Sequence, residues 1–274
     1  MAIRWLIKMY KAIISDFDGT LASTDKTVTE ENFNAIKMAV ESGRYFALCT
    51  GRMTPSAMLL LDKLPIKPLI ATYNGSEIVN SKTGEVLISH SLNTELILEL
   101  IEYGREKGLY FQIFSNEVIV EKYTEVTEFY CGICKVSAVE VGDLYSFVKS
   151  KNATSPKLML INFKGEVDTY LKEIEERFGD RVEAVRCYEG MIDITPKGID
   201  KGSAVRDLAK IWGITPKECI AIGDEGNDVA MFKAAGLGVA MINADEKVRA
   251  EAGLVTAKTN DQSGVAEIIK QYLL

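Results

Sequence analysis

Asp16 and Asp18 stand two residues apart in Ser15-Asp-Phe-Asp-Gly-Thr20, directly after a short apolar run. Side chains at i and i+2 point to the same side while the backbone stays extended, so both carboxylates are expected to face one crevice. Gly19 lets the chain turn away sharply and brings backbone amides close to a bound anion. Acids this close repel, which calls for a divalent cation, and Asp224 in Gly223-Asp-Glu-Gly-Asn-Asp228 offers a third oxygen ligand. Mg2+ suits an all-oxygen site of this kind. With its charge offset, Asp16 is free to attack phosphorus in line and form an aspartyl phosphate, while Asp18 protonates the leaving oxygen and then activates water. The remaining phosphate charge wants fixed donors. Thr50 with the Gly51 amide at one strand end and Lys201 at a helix N-terminus provide them.

Each piece also has a plain structural reading. Asp-x-Asp-Gly-Thr taken singly is a turn with solvated acids, and a Thr-Gly pair after a strand is a turn. Asn74-Gly75 reads as a hairpin turn or as a ligand contact. Gly226 with its polar neighbours makes a strand-to-helix turn, with Asp228 as N-cap. The joint order of the pieces favours chemistry. His90 is the only histidine, which excludes His-based triads and His-rich metal sites.

Such residues need a scaffold that gathers strand ends. Tyr10 to Ser15 reads as a buried parallel strand, stopping at Asp16. Phe33, Ile36 and Val40 recur at helical spacing between about Glu30 and Ser42, with Gly43 where a C-cap is expected. Tyr45 to Cys49 is a second strand. Thr54-Pro55 opens a helix through about Lys63 with Thr54 as N-cap, and Pro68 to Thr72 is a third strand. This βαβαβ rhythm predicts an α/β fold with a doubly wound parallel sheet. The Lys82-Thr-Gly84 turn predicts a hairpin, and there the first domain is expected to break off.

Residues 84–193 read as an inserted, smaller α/β domain. It has helices from Asn93 to Lys107 and from Glu166 to Phe178, and strands at Tyr110 to Phe114, Val118 to Glu121, Lys157 to Asn162, Val182 to Cys187 and Met191 to Ile194. The core then resumes over 194–274, so that it comprises 1–83 and 194–274. Asp200 is an N-cap, Lys201 to Trp212 a helix, Thr215-Pro-Lys-Glu218 a capping box and Cys219 to Ile222 a buried strand. A helix through Ala235 and a strand from Gly238 to Met241 complete the sheet.

The chain has 274 residues, 47% hydrophobic and 26% charged, enough for one large or two modest domains. Lys and Arg total 32 against 39 Asp and Glu, a formal charge of −7, which disfavours nucleic acid and anionic membrane as partners. Five cysteines form no disulfide framework, so a reduced, cytoplasmic setting is expected. Cys131 and Cys134 have CxxC spacing but no second pair or nearby His, and are read as small residues packing a helix. No apolar run reaches the roughly 18 to 20 residues of a spanning helix. The first eight residues are broken by charge and lack a small-residue cleavage site, so a signal peptide is not expected and Met9 is a candidate start.

These motifs together resemble the haloacid-dehalogenase superfamily, specifically its Cof-type phosphatases with a type IIB cap. Asp16-Phe-Asp-Gly-Thr20, Thr50 in Cys-Thr-Gly-Arg52, Lys201 in Asp-Lys-Gly and Gly-Asp224-Glu-Gly-Asn-Asp228 match the four motifs in family order. The resemblance implies a metal held by Asp16, the Asp18 backbone carbonyl and Asp224, with Asn227 and Asp228 in support. It also implies that Gly51, Arg52, Asn74 and Gly75 lie near the substrate, and that Asn243 and Thr259 to Gly264 belong to closing segments. Ile242 departs from the Gly or polar residue that relatives carry there. P-type ion pumps share the aspartyl-phosphate strategy, but they carry Thr where this chain has Asp18. A cap of this type excludes water and selects the leaving group, so specificity is expected between Gly84 and Asp193.

The expected partner is a small phosphorylated metabolite, such as a sugar phosphate, nucleotide or phosphorylated cofactor, acted on by a monomer or homodimer. A sugar phosphomutase is the second enzymatic reading, since phosphomannomutases resemble this cap type. A phospho-metabolite-binding protein without turnover is the third, motivated by Ile242.

Overall fold

The computed structural model describes residues 10–163, 167–188 and 190–274. The expectations about a leader and about Met9 fall outside the described residues. The chain runs through β1 (Ala12–Ser15), α1 (Glu30–Glu41), β2 (Tyr45–Cys49), α2 (Thr54–Met58), β3 (Leu69–Thr72), β4 (Glu77–Asn80) and β5 (Glu85–Ser89). Next come α3 (Thr94–Glu106), β6 (Tyr110–Phe114), β7 (Val118–Val120), α4 (Glu125–Cys134), β8 (Ala138–Glu140), α5 (Leu144–Lys151), β9 (Leu158–Ile161), α6 (Val167–Phe178), β10 (Val182–Tyr188) and β11 (Met191–Pro196). It closes with α7 (Lys201–Ile211), β12 (Cys219–Gly223), α8 (Val229–Ala234), β13 (Leu237–Ala240), α9 (Glu246–Ala250), β14 (Leu254–Val255) and α10 (Gly264–Tyr272).

The first sheet has the order β14-β13-β12-β1-β2-β3-β4-β5. From β14 to β3 the pairing is parallel. Every residue of β1 is buried, as a central strand covered on both faces requires. Ile13, Leu48 and Ile222 pack on one face against Ile36, Val265 and Ile269 of α1 and α10. Ile14, Ala47 and Ala221 pack on the other against Leu208 of α7 and Phe232 of α8. Helices on both faces of a largely parallel sheet make the expected doubly wound core. Helix α1 starts where the Thr29 side chain accepts the Asn32 amide, and past its end Gly43 takes φ +86°.

The expected helix from Thr54 to Lys63 is shorter. It stops at Met58 and a single 3₁₀ turn covers Leu61–Lys63, after which Leu64 is extended, as a residue before Pro65 prefers. Thr54 is not the N-cap. Met53 holds that position, and the Thr54 hydroxyl bonds Glu77 and Thr72, each at 2.7 Å.

The second sheet has the order β10-β11-β9-β6-β7-β8. One face carries α3, α5 and α6 through Ile97, Leu100, Val148, Ile174 and Phe178. The other carries α4 and meets core residues Met53 and Tyr73. This is the inserted smaller α/β cap, but the sheets change over at Ser89 and Pro196 rather than at 84 and 194. The Lys82 to Gly84 turn folds β5 back antiparallel onto β4, which keeps it in the core sheet. Unanticipated in the cap were α4, α5 and β8, and in the core α9, α10 and β14, the last of which extends the sheet past the strand expected to complete it. Helix α4 carries β-branched residues, Gly132 and two cysteines, a weak helical signal. It is held by a Thr124/Thr127 capping box and by burial of Tyr130, Cys131 and Cys134, so the two cysteines do pack a helix. Among the described residues no helix is long and apolar enough to cross a membrane.

Candidate active site

The Asp16 amide donates to Ile222 O at 2.9 Å, one step beyond the β1 strand, so Asp16 emerges at the carboxyl edge of the sheet beside the end of β12. There the chain must turn. Gly19 has φ +79°, and a Cβ on it would lie 2.2 Å from Asp224 Oδ2, so only glycine lets the two strand ends approach. Asp224 is fixed by the Thr20 hydroxyl, which donates to its Oδ1 at 2.5 Å.

Lys201 reaches this edge from the first turn of α7. Asp200 caps that helix by accepting the Ser203 amide at 2.7 Å while the Ser203 hydroxyl accepts the Asp200 amide at 3.1 Å. So oriented, Lys201 is buried and its Nζ donates to Asp16 Oδ1 at 2.7 Å and to Asp228 Oδ1 at 2.6 Å. Burial works to strip its proton, but the charges of Asp16 and Asp228 prevail and hold it protonated. The other Asp228 oxygen accepts the amides of Asp224 and Glu225, each at 2.9 Å. Both Asp228 oxygens are thus engaged in shaping the loop; Asp228 stands at the N-cap position of α8, but its side chain makes no cap hydrogen bond to that helix.

Carboxylate oxygens of Asp16, Asp224 and Asp228 lie within 4.8 Å of one another. Burial, together with the charges of Asp228, Asp224 and Asp18, lifts the Asp16 carboxyl well above the ordinary range against the pull of Lys201. Burial also pushes Asp224 up to about 7, aided by Asp228 and Glu225 and opposed by the Thr20 hydrogen bond. Mutually lifted buried acids are the electrostatic signature of a place built for a cation. Among the described residues, the second oxygens of Asp16 and Asp224 accept no protein hydrogen bond, and the buried Asn227 Oδ1 has no partner either. This donor set fits a hard divalent ion.

Asp18 is placed differently. Its carboxylate receives Arg52 in a fork, Nε at 2.6 Å and Nη2 at 2.8 Å, with Lys26 at 3.4 Å. Burial would raise its pKa, but the Arg52 hydrogen bonds and charge, with Lys26, hold it below the ordinary value. Its side chain is therefore outside the three-carboxylate group. Arg52 does not point free towards a substrate; it clamps Asp18 and also reaches Ser56 at 3.1 Å. Thr50 is buried at the end of β2, its hydroxyl accepting the Arg52 amide at 3.2 Å, which leaves its proton for a ligand.

Asn74 and Gly75 lie in a buried 3₁₀ turn between β3 and β4, with Asn74 at φ 58°. This is the hairpin reading, yet the turn also makes tertiary links. Asn74 Nδ2 donates to Asp193 at 2.8 Å and its Oδ1 accepts Asn227 Nδ2 at 3.0 Å. Asn243 Nδ2 ties down the Gly19 carbonyl at 2.9 Å, and Asn243 Oδ1 accepts the Asn260 amide at 3.1 Å. Ile242 engages only through its backbone, to Thr256 and Arg249. His90 lies 3.8 Å from Asp207, remote from these acids in its contacts.

Sequence reasoning missed the way Thr20 fixes Asp224, and it missed the pair Lys157 and Asp193. The latter had a signal: each is a charge interrupting a strand otherwise written in apolar residues, Lys-Leu-Met-Leu-Ile161 and Met-Ile-Asp-Ile194.

A doubly wound core, a cap inserted after the second motif and acids gathered at the carboxyl edge of the sheet define a class of phosphate-handling hydrolase. The chain belongs to the haloacid dehalogenase-like hydrolases, whose family model matches residues 13–269, and within them to the Cof-type phosphatases. It is 31% identical over 286 residues to the 5-amino-6-(5-phospho-D-ribitylamino)uracil phosphatase YwtE of Bacillus subtilis, covering 96% of this chain and 98% of that one. Among solved structures it resembles a haloacid dehalogenase-like hydrolase from Bacteroides thetaiotaomicron, with TM-score 0.81, 30% identity, and coverage of 96% of this chain and 99% of that one. In fold it also matches the HAD subclass IIB sugar phosphatase BT4131, with TM-score 0.78, 24% identity, and coverage of 96% and 98%.

Proposed function

We propose that this phosphatase hydrolyses a small phosphomonoester, with Asp16 as nucleophile, Asp18 as general acid and base, and Mg2+ as the cation. The observation that carries the reading is Asp16 itself, buried at the strand end, tethered by Lys201 through one oxygen while the other takes no protein hydrogen bond. Asp16, Asp224 and the Asp18 backbone carbonyl would hold the ion, with Asn227 and Asp228 supporting. Bound there, Mg2+ would supply charge neutralisation that lets an anionic phosphate approach a carboxylate.

In the first half-reaction Asp16 forms a bond to phosphorus as the bond to the leaving oxygen breaks, and Asp18 supplies the proton that oxygen needs. In the second, Asp18 accepts a proton from water, which attacks phosphorus and releases Asp16 and inorganic phosphate. The Arg52 fork favours the ionised form of Asp18 and so suits the second step. For the first, Arg52 must pass from Asp18 to the arriving phosphate, after which burial raises the carboxyl towards the protonated state. Thr50, the Gly51 amide and Lys201 form the remaining phosphate clamp.

Residues between β5 and α7 act as the cap that faces the leaving group. Its helix α4 sets Cys134 within reach of the charges of Arg52, Lys157 and Asp18. That YwtE is a 5-amino-6-(5-phospho-D-ribitylamino)uracil phosphatase supports a small phosphomonoester as substrate, and the candidates are sugar phosphates, nucleotides and phosphorylated cofactors. A panel of these assayed with Mg2+, beside Asp16→Asn, tests the reading. Phosphate release by the native enzyme and none by the variant is expected; full activity in Asp16→Asn would refute it.

A further inference from the structure

Lys157 directly precedes β9 and Asp193 lies in β11, two strands of the cap sheet. Their side chains are each 1% exposed and 2.9 Å apart. Two charges taken out of water in this way cost stability unless every remaining valence is met. The catalytic core meets part of this demand, while Asp193 Oδ1 has only the ion pair with Lys157 and no hydrogen bond among the described residues. Lys157 Nζ donates to Gly51 O at 3.0 Å, and its ammonium sits 4.8 Å from the Phe114 ring centroid. Asp193 Oδ2 accepts Asn74 Nδ2, and Asn74 Oδ1 in turn accepts Asn227 Nδ2. One pair of cap charges is thereby joined to three core loops, those carrying Thr50, Asn74 and Asp224.

We propose that Lys157 and Asp193 are positioning residues through which seating of the cap fixes the catalytic loops. This rests on the phosphatase reading above. Two chains of contact make the assignment. Gly51 O belongs to the peptide whose amide is that of Arg52, so Lys157 steadies the backbone from which Arg52 clamps Asp18. The Asn74 amide is set by Asp193 on the cap side, and it hands Asn227 its only described hydrogen bond, leaving Asn227 Oδ1 turned elsewhere with no protein partner. The space for Asn74 is tight, since a Cβ on Gly51 would lie 3.0 Å from Asn74 Oδ1. When the cap lifts, both links break at once. A phosphate bound before closure therefore meets loops not yet held in their reactive arrangement, and turnover waits for the cap.

The test exchanges the polarity of the link. Asn74→Asp opposes two carboxylates across the boundary and is expected to lower kcat for p-nitrophenyl phosphate with Mg2+ by at least about tenfold, because small misplacements of reacting groups are costly. Adding Asp193→Asn restores a donor opposite the new acid, with the charge moved by one hydrogen bond, and is expected to return kcat to within about threefold of the native enzyme. Competitive inhibition by inorganic phosphate should change little along the series, while the thermal midpoint should fall in Asn74→Asp, where two buried carboxylates are opposed, and rise again in the exchanged pair. Loss of kcat in the folded protein with unchanged phosphate inhibition is what a merely structural pair would not reproduce. A native enzyme that turns over while the exchanged pair stays as slow as Asn74→Asp would overturn the inference. A native enzyme inactive on all phosphomonoesters would instead overturn the phosphatase reading. Should Asn74→Asp not fold, Lys157→Gln decides: a loss of about tenfold in kcat with unchanged phosphate inhibition supports the assignment, and kcat within about twofold removes it.

Discussion

Replacing Lys201 by Met tests the electrostatics of the site in one step. The ammonium lies 2.7 Å from Asp16 and 2.6 Å from Asp228, and all three side chains are at most 8% exposed. Removing one partner of such a buried group typically costs about 3 to 5 kcal/mol, because the acids left behind are neither hydrated nor paired. Asp16 can escape part of this by taking up a proton, which its burial already favours, so the lower end applies near neutral pH. A loss of about 3 kcal/mol corresponds to a fall in thermal midpoint of roughly 6 to 12 °C for a chain of this size. The deficit should shrink on acidification, since protonating one acid relieves the repulsion. Loss of a preorganised cation beside nucleophile and phosphate should lower kcat/KM by about 100- to 1,000-fold. Differential scanning calorimetry at several pH values and steady-state phosphate release provide the assays. A midpoint within about 2 °C of the native protein, together with activity within about tenfold, would refute the placement of Lys201 between two buried acids.

Two further outcomes follow from the same contacts. Arg52→Leu removes the fork that offsets burial at Asp18, so the ionisation of Asp18 should move upward and KM should rise as a phosphate partner is lost; a pH profile of kcat/KM that does not move would contradict this. Asp224, pushed up to about 7, binds its proton more tightly folded than unfolded, so without metal the stability should fall as pH rises from about 4 to about 7. Because that proton competes with the ion, Mg2+ should raise the thermal midpoint more at pH 8 than at pH 6, and an equal shift at both would count against Asp224 as a ligand.

The core was legible because its central strands are short, largely apolar runs that stop at polar or glycine residues, as in Ala12 to Asp16 and Cys219 to Asp224. Those same endings exposed the acids, since a carboxylate directly after a buried strand has few places to go. Less legible were features set by partners distant in sequence. Nothing local to Arg52 says that it folds back on Asp18 rather than facing a ligand. Thr54 has the look of a helix cap, but Glu77 and Thr72 compete successfully for its hydroxyl. The domain boundary at 84 followed a genuine turn; the turn returns the chain to the same sheet. Helix α4 was missed because tertiary burial of Tyr130 and Cys134, not propensity, stabilises it.

The most direct measurement is of the covalent bond itself. Native enzyme mixed with Mg2+ and a phosphomonoester it turns over, quenched in acid within a turnover and digested, should yield the peptide bearing Asp16 with the added mass of one phosphoryl group, absent in Asp16→Asn. A phosphoryl group on any other residue, or turnover with none on Asp16, would contradict the assignment of Asp16 as the nucleophile.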